Sequence, residues 1–271
     1  NSDRRQRQMC IRDSFSSHNL IGYKEGTKRP DEYIIFMAHW DHLGINDELE
    51  GDQIFNGAAD NATGVAAVIE LARKFDQVQT ERSVIFTALT LEESGLLGSA
   101  YLAENPPFDL ANVVAGFNFD RVLPTGKTKD MAVIGYGASE LEDYLEAELD
   151  KQGRYINPDP NPEKGYFYRS DHISFAKKGV PVLYSDDGFD LEIGGIEKGF
   201  NEIYDYTNNR YHGVDDEYDA SWNLEGFEQT INTLFNISFE LSNSNDWPNW
   251  YKGNEFRSVS YTHLRAHETY T

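Results

Sequence analysis

Histidines and carboxylates stand where short apolar runs of this chain end. His39 and Asp41 directly follow Tyr33–Ala38, Glu92 and Glu93 follow Ser83–Leu89, and Asp120 closes Val113–Phe119. Asp60 sits in a Gly-flanked segment, GAADNATG, ahead of a helical pattern. Imidazole and carboxylate suit zinc, and a set richer in carboxylates than in histidines suits two adjacent divalent ions sharing a bridging ligand. Two such ions roughly 3.5–4 Å apart activate a water and polarise a carbonyl together. A spare carboxylate beside them then takes the water's proton. Adjacent Glu92 and Glu93 supply one ligand and one base only if the backbone is irregular there, because on a regular strand they point to opposite faces. The single cysteine, Cys10, permits neither an internal disulfide nor a Cys-based zinc site, so any metal rests on His and carboxylates.

Each of these residues also has a plainer reading. An Asp in a Gly-rich turn is usually a helix N-cap, although Asn61 would cap the same helix equally well. Glu92 and Glu93 before a Gly-rich helix would complement its dipole. His42, in the same HWDH segment, competes with His39, and spacing alone does not separate them. What favours chemistry is convergence, since ligands of open α/β sheets gather beyond the carboxyl ends of the strands.

The elements that must position these groups alternate along the chain. Tyr33–Ala38, Ser83–Leu89, Val113–Phe119, Met131–Gly135 and Val180–Tyr184 read as strands. Ala62–Phe75, a short helix through Ala103, Ser139–Gln152 and Leu224–Leu241 read as helices from their apolar spacing. Asn157–Lys164 is a Pro-rich loop, and Asp186–Tyr211 is a long, Gly-rich, aromatic loop of the kind that carries function. With no internal repeat or linker, the pattern predicts a single α/β domain, a three-layer α/β/α sandwich on a mixed, mostly parallel sheet.

Composition bounds the partners. The 271 residues hold 24 Lys+Arg against 46 Asp+Glu, a net charge of −22. That balance argues against nucleic acid, whose phosphates need clustered Lys and Arg, and it fits attraction of metal ions or protonated amines. No run approaches the roughly 20 apolar residues of a membrane span. Both ends differ from the rest: residues 1–14 are Arg-rich and the tail from Ser258 is unpatterned. Residues 1–18 and 258–271 are expected to be non-native or disordered tails, similar to translated adaptor sequence. His18, His263 and His267 are therefore set aside, leaving a catalytic domain over residues 19–257.

AHWDHLG, GAADNATG, TLEESGLLGS, FNFD and YHGVDDEYD, in that order, resemble the motifs of the co-catalytic two-zinc aminopeptidase family, which includes bacterial leucyl aminopeptidases and glutamate carboxypeptidase II. The resemblance runs from about Asn19 to Leu241 and is strongest to bacterial members carrying HWDHLG and YFYRSDHISFAKKGVPVLY. It implies two zinc ions, with His39 and Asp120 on one, Glu93 and His212 on the other, and Asp60 bridging. It implies Glu92 as general base, Asp41 as the partner of the other ring nitrogen of His39, and Tyr211 as an oxyanion donor. Asp171 and His172 match the family's SDH segment, behind the ligands or facing substrate. Arg121 stands where many members have Met and would alter the pocket wall. The implied activity is hydrolysis of a peptide with a free N-terminus, in the periplasm or outside the cell. Family alternatives are a carboxypeptidase using Arg121 or Arg169, a single-zinc glutaminyl-cyclase-like enzyme, and a metal-free binding module. The family's full-length members carry further N-terminal elements and an insert, so the resemblance implies a fragment.

Overall fold

Strand β1 (Leu20–Lys24) opens the described part of the chain, residues 15–260 of a computed structural model. The expectations for residues 1–14 and 261–271 lie outside the described residues. β2 (Arg29–His39) is followed by a small hairpin of β3 (Gly44–Ile45) and β4 (Ile54–Phe55), then by helix α1 (Thr63–Asp76). β5 (Arg82–Leu89), α2 (Leu97–Glu104), β6 (Val113–Phe119), β7 (Asp130–Val133), α3 (Leu141–Gln152) and β8 (Tyr155–Pro158) come next. The chain continues through α4 (His172–Ala176), β9 (Val182–Asp187), α5 (Gly195–Asn209) and α6 (Glu225–Asn243).

Seven strands form one sheet in the order β1-β5-β2-β6-β9-β7-β8. The pairs β2/β5, β2/β6, β6/β9 and β7/β8 are parallel, while β1/β5 and β7/β9 are antiparallel. Alternation along the central strands sorts side chains to two faces. Ile34, Phe36 and Ala38 meet Ala67, Leu71 and Phe75 of α1, Leu145 of α3 and Leu234 of α6. Ile35 and Met37 meet Leu102 of α2 and Phe175 of α4 on the other face. Helices on both faces make the central strands continuously apolar, which is why YIIFMA and SVIFTAL were readable as buried strands. Phe36, fully buried, stacks against Phe86 and Phe117 at 5.7 and 5.3 Å; truncating such a side chain costs about 3–5 kcal/mol.

Three expectations change. The segment Asp186–Tyr211, read as a loop, holds the fifteen-residue helix α5. Its glycines obscured a repeat at Ile196, Phe200, Ile203 and Thr207 that has helical spacing. Asn157–Lys164, read wholly as loop, begins as the end of edge strand β8, where Pro158 costs no ladder bond. β1 has no counterpart in the sequence reading, being short and mostly exposed. Within residues 15–18, the Ser17 hydroxyl contacts that of Thr90, and the His18 carbonyl accepts from the Trp40 indole at 3.1 Å.

β2 lies between β5 and β6, with α1 packing on one face and α2 on the other. The β2-to-β5 crossover through α1 and the β5-to-β6 crossover through α2 thus run in opposite directions along the sheet, and a crevice opens beyond the carboxyl end of β2. In register, His39 lies beside Leu89 and Ala38 beside Phe119.

Candidate metal centre

Asp60 is the hinge of the site. It lies in an irregular turn, Ala58–Ala62, before α1, where it (φ −114°, ψ 88°) and Asn61 (φ −138°, ψ 39°) both leave helical geometry. Its Oδ1 is 3.2 Å from His39 Nε2, which is also 3.3 Å from Asp120 Oδ1. Its Oδ2 is 3.3 Å from His212 Nε2, which is 3.2 Å from Glu93 Oε2. One carboxylate therefore presents one oxygen to each of two donor sets.

These spacings suit zinc, because donors about 2.0–2.1 Å from a tetrahedral ion lie about 3.3 Å from one another. The charge balance points the same way: Asp60, Glu92, Glu93 and Asp120 converge on three imidazoles, His39, His42 and His212, in a partly buried crevice. Without a cation such a cluster is compensated only by protonation. Contact with Asp60 and Glu93 raises His212 to about 10, and the carboxylates also hold His39 well above its usual value against the effect of its burial. Although burial opposes it, the imidazoles hold Glu93 at about 2. Burial, then the neighbouring Asp120, pushes Glu92 up to about 9. His39 is 1% exposed and His212 35%, so the centre is closed beneath and open on the His212 side.

The backbone leaves the strand before the paired glutamates. β5 ends at Leu89, and Leu91 takes a left-handed φ of 58°, so Glu92 and Glu93 need not alternate across a sheet. Asp41 holds this turn: its carboxylate accepts from the N–H groups of Glu92 and Glu93 at 3.0 and 3.3 Å. Asp41 also meets the other ring nitrogen of His39, by its main chain rather than its carboxylate. His39 Nδ1 faces the Asp41 main-chain oxygen at 3.1 Å, with the nearest carboxylate oxygen at 3.9 Å. Arg121 and His212 also adopt left-handed φ, 70° and 56°, each costing of order 1–3 kcal/mol in a non-glycine residue and concentrated here around one crevice.

Asp216, which holds the site from behind, carried no separate signal in sequence. Asp216 is buried, and its carboxylate accepts from the N–H groups of Ala59 and Asp60 at 2.9 and 3.0 Å and from the Tyr206 hydroxyl at 3.1 Å. It lies in YHGVDDEYD, so the motif contained it without marking it. Ala62 is the N-cap of α1, but the Asn61 side chain serves its first turn, accepting from Gly64 N–H at 3.0 Å, and also accepts from Arg121 N–H while donating to the Phe119 carbonyl. A Cβ at Gly64 would stand 2.2 Å from the Asn61 oxygen. His42, passed over for His39, binds Glu93 Oε1 through Nδ1 at 2.9 Å and belongs to a third donor group with Asp60 and Glu93.

A cavity of about 600 Å³ opens from Asp60, Glu92, Asp120 and His212. Tyr211 lines it with its ring stacked on His212 at 3.9 Å, and Arg121 lines it while bound to Asp186 at 2.9 Å. Asp171 and His172 do not line it. Both are buried behind the site, His172 between Phe167 and Tyr184 at 4.8 Å from each, where burial raises the Asp171 carboxyl to about 7 and lowers His172 to about 3.

The profile of peptidase family M28 matches residues 19–237. The chain belongs to peptidase family M28. A probable zinc metalloprotease of Phaeosphaeria nodorum is 31% identical to this M28 chain over 220 residues, covering 74% of it and 43% of the relative. Aminopeptidase YwaD of Bacillus subtilis is 31% identical over 178 residues, covering 61% of the chain and 34% of the relative. The chain thus spans less than half the length of either curated relative. Among solved structures, an aminopeptidase from Aneurinibacillus sp. strain AM-1 superposes with TM-score 0.62 at 21% identity, over 85% of this chain and 49% of that one. A glutaminyl cyclase from Porphyromonas gingivalis gives 0.55 at 19% identity, over 82% and 77%. At these identities the structural likeness establishes the M28 fold, an α/β/α sandwich.

Proposed function

We propose that this M28 chain is a zinc-dependent aminopeptidase that hydrolyses the first peptide bond of substrates with a free N-terminus. The observation that carries the reading is the division of Asp60, one oxygen toward His39 and Asp120, the other toward His212 and Glu93. Two zinc ions would be held there, one by His39, Asp120 and Asp60 and the other by His212, Glu93 and Asp60. Zinc held by these residues would polarise the scissile carbonyl and lower the pKa of an attacking water.

The chain's own groups do the rest. Glu92, on the cavity wall beside the donors, takes the water's proton and passes it to the leaving amine. Its burial-raised affinity for a proton suits the first transfer, and nearby cationic charge keeps it a carboxylate beforehand and favours release of the proton in the second. Asp41 fixes Glu92 and Glu93 through their peptide N–H groups, and Asp216 fixes Asp60 in the same way. Tyr211 donates its O–H to the developing oxyanion. The acidic rim favours a protonated α-amine, so N-acetylated substrates should fail to react. The reading includes location in the periplasm or outside the cell; among the described residues no helix is long and apolar enough to cross a membrane. Cell fractionation tests it.

The decisive experiment measures zinc content and hydrolysis of unblocked aminoacyl anilides, with Glu92→Gln as control. Two zinc per chain, with turnover lost in the control, is the expected result. One zinc per chain would favour the cyclase-like alternative, and a folded chain that takes up no zinc would overturn the metalloenzyme reading.

A further inference from the structure

Beyond the metal centre the cavity wall carries two cations that share one aromatic ring. Lys164 Nζ lies 5.8 Å, and Arg169 Cζ 5.5 Å, from the centroid of Tyr166, and all three residues line the cavity. Such contacts hold flexible cationic side chains over a ring face. Neither cation has a salt-bridge partner among the described residues, in a chain with 46 acidic residues against 24 basic ones. The acids of this part of the cavity are otherwise engaged: Asp186 binds Arg121 at 2.9 Å, Asp187 accepts from Thr230 at 2.8 Å, and Asp159 accepts from Asn161 N–H at 2.7 Å. The rim adjoins the reacting centre, because Arg169 is close enough to Tyr211 for its charge to act on that phenol, and Tyr211 stacks on His212. Unpaired, exposed cations beside a site are acceptor-seeking groups, and guanidinium matches the planar fork of a carboxylate.

We propose that Lys164 and Arg169, braced on Tyr166, bind a substrate carboxylate lying off the scissile bond, so that the enzyme selects short peptides carrying one. The proposal rests on the aminopeptidase reading. The carboxylate has two possible sources, the free C-terminus of a short peptide or the side chain of an acidic N-terminal residue, and both present the same planar anion.

The test compares kcat/KM for leucylglycine against leucylglycinamide, and for glutamyl against glutaminyl anilide, in wild type, Lys164→Ala/Arg169→Ala and Arg169→Glu. An exposed charge-assisted contact predicts a preference of about tenfold for the carboxylate-bearing member of one pair. The preference should vanish in the double alanine variant, invert in Arg169→Glu, and shrink with added salt. Each readout is a ratio within one preparation, so partial misfolding of a variant does not imitate it. Whichever pair shows the preference identifies the source. Equal ratios in wild type and variants, with turnover intact, overturn the proposal while leaving the aminopeptidase reading standing. If wild type turns over no free-amine substrate, that reading fails instead, and calorimetric titration of the zinc-loaded proteins with the same compounds still decides the rim by differential binding.

Discussion

Asp60 and Asp216 divide a task at the scale of single residues. Asp60 offers its side chain to both donor sets, and Asp216 binds the peptide N–H groups that aim it. An amide in place of the Asp216 carboxylate would turn a donor toward one of those N–H groups. Asp216→Asn is therefore expected to weaken zinc binding about 10–100-fold, as loss of such supporting contacts does. Competition with a chromogenic chelator measures it, and wild-type affinity in the variant would detach Asp216 from the centre. Glu92 is proposed to move the proton without completing either donor set of Asp60, although its carboxylate also groups with His39 and Glu93. Glu92→Gln should lower kcat about 10²–10⁴-fold with zinc content unchanged; a loss of zinc in step with activity would instead make Glu92 a ligand. Removal of the O–H in Tyr211→Phe should lower kcat by about 10²-fold with little change in KM, consistent with one oxyanion donor. The five proposed metal ligands and the proposed base were marked by matching motifs, Asn61 only as a helix cap, and Asp216 not at all. Ligand chemistry restricts residue type, but a carboxylate that receives two peptide N–H groups looks like any other Asp until the turn it closes is known.

At the scale of elements, the crevice depends on helix α5, which supplies Phe200 and Ile203 to the cavity wall and Tyr206 to Asp216. Gly199 lets this helix approach: a Cβ there would stand 2.0 Å from the Phe189 carbonyl oxygen. Because that neighbour is backbone, relief requires moving the helix. Gly199→Ala should cost about 1–3 kcal/mol by denaturant unfolding and also weaken zinc binding, since Tyr206 moves with the helix. Unchanged stability would mean that α5 is not seated as described. The central strands were legible because both faces are covered, leaving unbroken apolar runs. α5 was not, because it packs largely through a glycine and one tyrosine, with Phe200 and Tyr204 left exposed.

Across the whole molecule, buried carboxyls give the metal-free protein a definite pH dependence. Burial, in each case the leading cause, raises Asp171 and Asp187 to about 7 and Asp186 to about 6, from an ordinary value of 3.8. Between those values the folded chain holds protons that the unfolded chain has released, so stability falls as pH rises. His172, lowered to about 3, works oppositely, because below about pH 6.5 only the unfolded chain takes its proton. Three carboxyls outweigh one imidazole, and raised His39 and His212 add to the same trend. The metal-free protein should therefore melt at a higher temperature near about pH 5.5 than near about pH 8. Asp187→Asn, which keeps an acceptor for Thr230, should reduce that difference. Calorimetry in chelator checks both, and a melting temperature that rises over this range would contradict the assignment.

The sequence by itself determined the layer architecture, the strand ends where histidines and acids accumulate, and, through ordered motifs, the proposed ligand set. Those features are local: apolar periodicity follows from which face is covered, and ligand chemistry limits the residues that can serve. Only the tertiary structure decided that the Asp41 carboxylate grips the glutamate turn while its main-chain oxygen meets the His39 ring, and that Asp171 and His172 stand behind the cavity. Only there do Lys164 and Arg169 meet on one ring. These are distances between groups far apart in the chain or turned by irregular backbone, and no spacing in a sequence encodes them until the crossovers around β2 bring the segments together.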